Sequence, residues 1–363
     1  MAEFRVKQER FRALLAAHHL DALLLRRVSS FAWATCGAAS YVALNSTEGA
    51  AALLLTPSGR YVITDNVEAT RLTEEEHLPE QGWQMQVHPW WETDNAVARL
   101  TRGLRLGADI AYPGALNLDD ALAHLRVTLT DEEVTRFRKL GRLCADAMDQ
   151  TARTIQPGMT EEQIAGLLDA EVRNRGMQAV VNLIGTDERI FRFRHPHPTA
   201  KPLERYALLG LCGRRWGLVC SVSRLVHFGP IPDEIRRKAE ALAQVDAAFI
   251  AATQPGQTLG GVLAAGVAAY AEAGYPDEWH LHHQGGPAAY EAREYLARPD
   301  SPEVVQANQV YGWNPSITGT KSEDSILVTP DGPEILTETP GWPLLAATAG
   351  GRAIPRPAIL ERD

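Results

Sequence analysis

Tyr206-Ala-Leu-Leu-Gly-Leu-Cys212 and Trp216-Gly-Leu-Val-Cys-Ser-Val-Ser-Arg-Leu-Val-His-Phe228 are the two stretches whose reading decides the fold. Aromatic and β-branched residues recur through them and turn signals bound them, so they are expected to form a β-hairpin joined at Arg214-Arg215. Such a hairpin can hold one side chain from each arm over a shared cleft. The rest of the chain reads as scaffolding for that cleft.

Working outward, the hairpin sits between two similar helical units. Thr130 and Glu133 form a capping box, and Val134, Phe137, Leu140, Cys144 and Met148 make an apolar stripe, which predicts a helix from about 131 to 155. Gln156-Pro-Gly-Met-Thr160 then turns the chain, with Thr160 capping a helix that stops at Gly176. The arrangement returns: Pro232 and Asp233 open a helix to about Thr253, and Gln254-Pro-Gly-Gln-Thr258 leads to another ending near Gly274. Two helix, Pro-Gly-x-Thr, helix units imply an internal repeat about a pseudo-two-fold axis. Each precedes β-rich sequence, so the halves are expected to share one curved sheet with helices outside and a cleft inside.

The 363 residues suffice for two domains of ordinary size. Residues 1–127 read as an α/β domain in which Phe11, Leu14, Leu15 and His18 share a helical face. Strands are expected from Asp21 to Leu25, Ala51 to Leu55 and Tyr61 to Thr64. His88-Pro-Trp-Trp91 is read as a buried packing corner in preference to a loop reaching an active site. Residues 128–340 form the second domain, and 341–363 a Pro-, Gly- and Ala-rich tail, expected to be a loosely packed arm. A net charge of -9 argues against a sequence-independent nucleic-acid binder, and no apolar run approaches the roughly 20 residues of a membrane span. The N-terminus has no signal-peptide core, which makes a cytoplasmic location the expectation. The four cysteines form no Cys-x-x-Cys pair and read as reduced structural thiols.

Three imidazoles fall within four residues in Trp279-His-Leu-His-His-Gln-Gly-Gly286, where the glycines permit close approach. In Arg192-Phe-Arg-His-Pro-His-Pro-Thr199 the prolines hold the backbone extended and present alternate side chains to one side. Arg192 and Arg194 lead into His195 and are candidates for binding an anionic ligand; a solvated basic face is the plain alternative. Tyr290 and Arg293 are further candidate substrate contacts. Tyr311-Gly-Trp-Asn-Pro315 and Thr320-Lys-Ser-Glu-Asp-Ser-Ile-Leu327 read as adjacent strands, with Glu323-Asp324 ordinarily a solvated strand end.

Together these motifs resemble the creatinase, aminopeptidase P and prolidase family, over nearly the whole chain. Pro157-Gly-Met-Thr160, His195-Pro-His-Pro-Thr199, Ser223-Arg224, His283-Gln-Gly-Gly286, Asn314-Pro315 and Glu323-Asp324 stand in the family's order. The resemblance implies an α/β N-terminal domain, an α+β pita-bread C-terminal domain with its pseudo-two-fold repeat, and a homodimer. It also implies two divalent ions, such as manganese, held by two aspartates, a histidine and two glutamates. Three of those positions fall here on Gly210, Ser221 and Asn314; only His283 and Glu323 keep ligand chemistry. Hard ions need oxygen donors, so the expectation is a degenerate site with no metal cofactor. His282, Cys220 and Asp324 are conceivable substitutes that no spacing favours. Creatinase, which has this fold, hydrolyses a carbon–nitrogen bond without metal using a histidine similar to His195. The sequence is therefore read as a peptidase-like protein in which His195, His283 and Glu323 converge on a small amide- or carboxylate-bearing ligand. A metal-dependent Xaa-Pro peptidase and a non-catalytic protein-binding module are the alternatives.

Overall fold

The computed structural model describes residues 2–92 and 95–363, so Met1, with which the N-terminal reading begins, and residues 93 and 94 lie outside the described residues. It contains two compact units. The first takes in the chain to Arg126 with Thr130–Glu133 and Trp216–Leu218; the second comprises Val127–Leu129, Val134–Arg215 and Val219–Asp363.

In the first unit, strands β1 (Ala22–Arg27), β2 (Glu48–Thr56), β3 (Gly59–Asp65), β4 (Gln84–His88), β5 (Leu106–Ala108) and β6 (Ala115–Asn117) form one sheet. Its order is β4-β3-β2-β1-β5-β6. Leu24, Leu54, Ile63 and Ala108 build its core on one face, as the period-two spacing of strand side chains requires. The His88 to Trp91 expectation is corrected. Trp90 and Trp91 are each 65% exposed and pack edge to face against one another at 5.7 Å. Ladder pairing with β3 ends at His88, after which Pro89 has no N–H to continue it and the chain leaves the sheet.

The second unit realises the repeat. Helix Asp131–Thr154 is followed by Glu161–Asn174, whose capping box has Gln163 N donating to Thr160 Oγ1 at 3.2 Å and Thr160 N to Gln163 Oε1 at 2.9 Å. Helices Asp233–Ala252 and Leu259–Glu272 repeat the pair. Here Thr258 caps alone, because its reciprocal position is Gly261. Strands β7 (Gln178–Thr186), β8 (Tyr206–Arg215) and β9 (Leu218–Phe228) belong to the first half. The second half supplies β10 (Gly285–Ala288), β11 (Val310–Trp313), β12 (Ser316–Ile317), β13 (Thr320–Lys321), β14 (Asp324–Thr329) and β15 (Gly332–Ile335). In place of the single curved sheet expected, two four-stranded sheets result, one led by β9-β8-β7 and the other β10-β11-β14-β15. They are stitched where Ser223 bridges Glu323, with Ser223 N donating to the Glu323 carbonyl at 3.1 Å.

Three local expectations change. The hairpin turns at Trp216-Gly217, with φ of +54° and +75°, rather than at Arg214-Arg215. Two consecutive positive φ values match the primed turns that fit strand twist, and Gly217 meets the second one without strain. Glu323 and Asp324 are buried at 6% and 2% exposure, because this strand end is the seam between the two sheets. The tail is also packed. Leu360–Arg362 runs parallel to β9, and Arg356 is buried with Nε 2.7 Å from Asp246 and Nη2 2.5 Å from Asp324. A buried guanidinium between two carboxylates fixes the segment, since neither charge can be left unpaired. None of the four cysteines is in a disulfide, and no helix among the described residues is long and apolar enough to cross a membrane.

Candidate functional site

The loop that presents His195 is fastened by one buried carboxylate. Glu161 Oε1 accepts from Thr186 N at 2.8 Å and Arg189 Nε at 2.9 Å, and its Oε2 accepts from Thr199 N at 3.0 Å and Thr199 Oγ1 at 2.6 Å. Both ends of the 186–199 segment are thus tied to the start of helix Glu161–Asn174, where a carboxylate is also favoured by the helix dipole. His282 and His283 follow the short turn Glu278–Leu281 and lead into β10.

These loops bring three imidazoles together. His195 Nε2 lies 3.2 Å from His282 Nε2, and the ring centroids are 4.9 Å (His195 to His282), 5.8 Å (His195 to His283) and 4.7 Å (His282 to His283) apart. Asn314 Nδ2 is 3.2 Å from His282 Nε2, and Ser316 Oγ is 3.4 Å from His282 Nδ1. Ser316 is in turn held by Tyr270, whose hydroxyl accepts from Ser316 N at 2.8 Å and donates to Ser316 O at 3.0 Å.

At the seam, Glu323 is engaged on both oxygens. Oε2 accepts from Ser223 Oγ at 2.6 Å and pairs with Lys321 Nζ at 2.7 Å, while Oε1 takes Arg293 Nη2 at 2.9 Å. Arg293 Nη1 also donates to Ser221 Oγ at 2.9 Å, and Cys212 Sγ lies 3.3 Å from that hydroxyl. Gly312 makes room for this guanidinium: a Cβ there would come within 2.5 Å of it. Lys321 and Glu323 point to the same side because they are two apart on extended chain.

Burial pushes His282 down to about 2 and His283 to about 4, with Lys321 and Arg293 respectively the next causes. His195 is lowered by burial and then by Lys321, although part of its surface is open. All three are therefore neutral at pH 7, with lone pairs free of protons. Burial alone would raise Glu323, but Lys321 and Arg293 outweigh it and hold the carboxyl at about 2. Glu323 does not favour a protonated imidazole: its pull on each histidine is smaller than that of burial and of the leading cation, Lys321 for His195 and His282 and Arg293 for His283. Burial raises the Cys212 thiol to about 11, so it is no thiolate nucleophile.

His195 and His283 are adjacent, with His282 as their third member. Arg293 is in the site, but it faces Glu323 and Ser221. Arg194 is committed elsewhere, with Nη2 2.8 Å from Glu278 Oε2 and 2.9 Å from Thr318 Oγ1, which corrects its assignment as a free ligand contact. Arg192 is exposed with its guanidinium 5.3 Å from the Phe193 ring centroid, and Tyr290, at 2% exposure, offers a ligand almost no surface. Lys321 was not among the expected site residues, and Ser223 was expected only as part of a motif, not as a partner of Glu323. The signal for Lys321 was its two-residue offset from Glu323.

The dinuclear carboxylate centre implied by the resemblance does not fit these residues. Gly210 has no side chain, Ser221 accepts from Arg293, Asn314 adjoins His282, and Glu323 is already neutralised by two side-chain cations. Bridging carboxylates are needed to offset the charge of two divalent ions.

Residues 135–330 match the model of metallopeptidase family M24. An Xaa-Pro dipeptidase of Lactobacillus delbrueckii subsp. lactis is 25% identical over 61% of this chain, and the match spans 63% of that relative, less than two thirds of its length. The prolidase from Pyrococcus horikoshii OT3 superposes with a TM-score of 0.78 at 16% identity, covering 91% of this chain and 97% of its own. The Xaa-Pro dipeptidase from Bacillus anthracis gives 0.77 at 18% identity, covering 99% and 100%. The fold is therefore that of the pita-bread prolidases, with the α/β unit before it.

Proposed function

Since the chain belongs to metallopeptidase family M24, we propose a peptidase-like role for its cleft that runs without a two-ion centre. The cleft binds a dipeptide-sized ligand through the ligand's carboxylate, and His195 promotes hydrolysis of the neighbouring carbon–nitrogen bond. The observation that carries this reading is that one carboxylate, Glu323, is shared by two cations, Lys321 and Arg293. The surplus positive charge favours an anion, and both donors suit a carboxylate. Similarity to Xaa-Pro dipeptidases supports the size and class of the ligand.

His195 is neutral at pH 7 and accessible. It takes a proton from a water as the water oxygen bonds to the carbonyl carbon, then returns that proton to the nitrogen as the carbon–nitrogen bond breaks. Alanyl-proline and its C-terminal amide separate the parts of this reading. The acid should bind about 10- to 100-fold more tightly than the amide, the worth of a charge-assisted hydrogen bond. It should also be cleaved by chelator-treated, metal-stripped protein at least as well as by untreated protein. Cleavage that disappears with chelator and returns with manganese would favour the second reading, a metal-dependent Xaa-Pro dipeptidase, which the names of the relatives support. Binding of the acid with no cleavage would leave a non-catalytic cleft.

A further inference from the structure

We propose that His195, His282 and His283 form a mononuclear site for a borderline-soft divalent ion of the zinc class. Its donor set shares only one residue, His283, with the carboxylate centre the fold family implies. One ligand atom from each of the three residues lies within 4.8 Å of the others. Two nitrogens bound tetrahedrally to zinc at its usual bond length are about 3.3 Å apart. His195 Nε2 and His282 Nε2 already stand at 3.2 Å, so one edge of the tetrahedron is in place. Completing it asks His283 to close by at most about 1.5 Å, within the reach of a ring rotation. Three imidazoles select zinc, copper or nickel over manganese or calcium, which prefer oxygen.

The surroundings suit a ligand shell. Ser316 Oγ lies 3.4 Å from His282 Nδ1 and is itself anchored to Tyr270, the kind of outer contact that fixes a ligating ring and its tautomer. Asn314, 2% exposed, has its amide against His282 Nε2 and leaves Oδ1 buried without a partner. A water or hydroxide on the ion would satisfy that oxygen. Three neutral donors leave the ion's charge whole, and Lys321 and Arg293 add to it, so the open fourth position calls for an anion: hydroxide or a ligand carboxylate. The ion would use the His195 lone pair, so the hydrolysis proposed above belongs to the ion-free protein. Uptake itself does not rest on that reading.

The test is calorimetric titration of the metal-stripped full chain with zinc chloride, backed by elemental analysis and by the absorption spectrum of a cobalt(II)-loaded sample. One ion per chain is expected, with a tetrahedral cobalt spectrum. His282→Ala should weaken zinc more than about 100-fold, beyond what loss of an outer contact costs. Should that buried replacement unfold the protein, His195→Ala at an exposed position supplies the same comparison, with thermal melting of the ion-free variant reporting the fold. No uptake by folded wild-type protein, or equal uptake by wild type and the folded histidine variants, would overturn the proposal.

Discussion

Glu323→Gln is expected to destabilise the second unit by about 3 kcal/mol at neutral pH, because it leaves Lys321 and Arg293 facing one another with no anion between them. The size follows from the gap between the ordinary carboxyl value of 4.5 and about 2, at about 1.4 kcal/mol per pH unit. The sign is fixed by the direction of that change. A carboxyl held low in the folded state contributes fully above about pH 4.5 and loses its contribution as pH falls towards 2. Urea midpoints should therefore separate wild type from Glu323→Gln at pH 7 and converge only as the pH approaches about 2. A constant difference across that range would mean the ion pairs are not its source.

His195→Ala should lower alanyl-proline hydrolysis by about 10²- to 10⁴-fold, the usual worth of a positioned general base. The melting temperature should change little. His195 is exposed, and the loop carrying it is fastened through Thr186, Arg189 and Thr199 to Glu161 rather than through the imidazole. Unchanged hydrolysis in this variant would remove His195 from the reaction.

Much of the scaffold was readable from local chemistry. Thr160 with Gln163, and the two Pro-Gly-x-Thr turns, specify helix ends through contacts within a few residues, and the helices stand where those signals lie. The hairpin was legible as two strands but not in its turn, since Trp216 and Gly217 take positive φ only to satisfy strand twist. Motif order, through the family resemblance, assigns Gly210, Ser221 and Asn314 to the positions where that family carries carboxylate ligands. What replaced the carboxylates was not legible. Arg293 reaches Ser221 and Glu323 from a loop 72 residues beyond one and 30 before the other, and only the Ser223 to Glu323 seam puts them in contact. Arg194 read as a free cation because nothing near it in sequence announces Glu278, 84 residues away. The tail read as loose for a similar reason: Arg356 meets Asp246 and Asp324 only after the sheets have closed.

The central claim is that side-chain cations and neutral imidazoles occupy the working positions of a carboxylate metal centre. Manganese content, measured by elemental analysis after equilibrium dialysis of the full chain against manganese(II) and removal of free ion, tests it most directly. Substoichiometric manganese is expected, since Glu323 is the sole carboxylate among the five positions that the family resemblance assigns to metal ligands and is already shared by Lys321 and Arg293. Two tightly held manganese ions per chain, lost on Glu323→Gln, would contradict it.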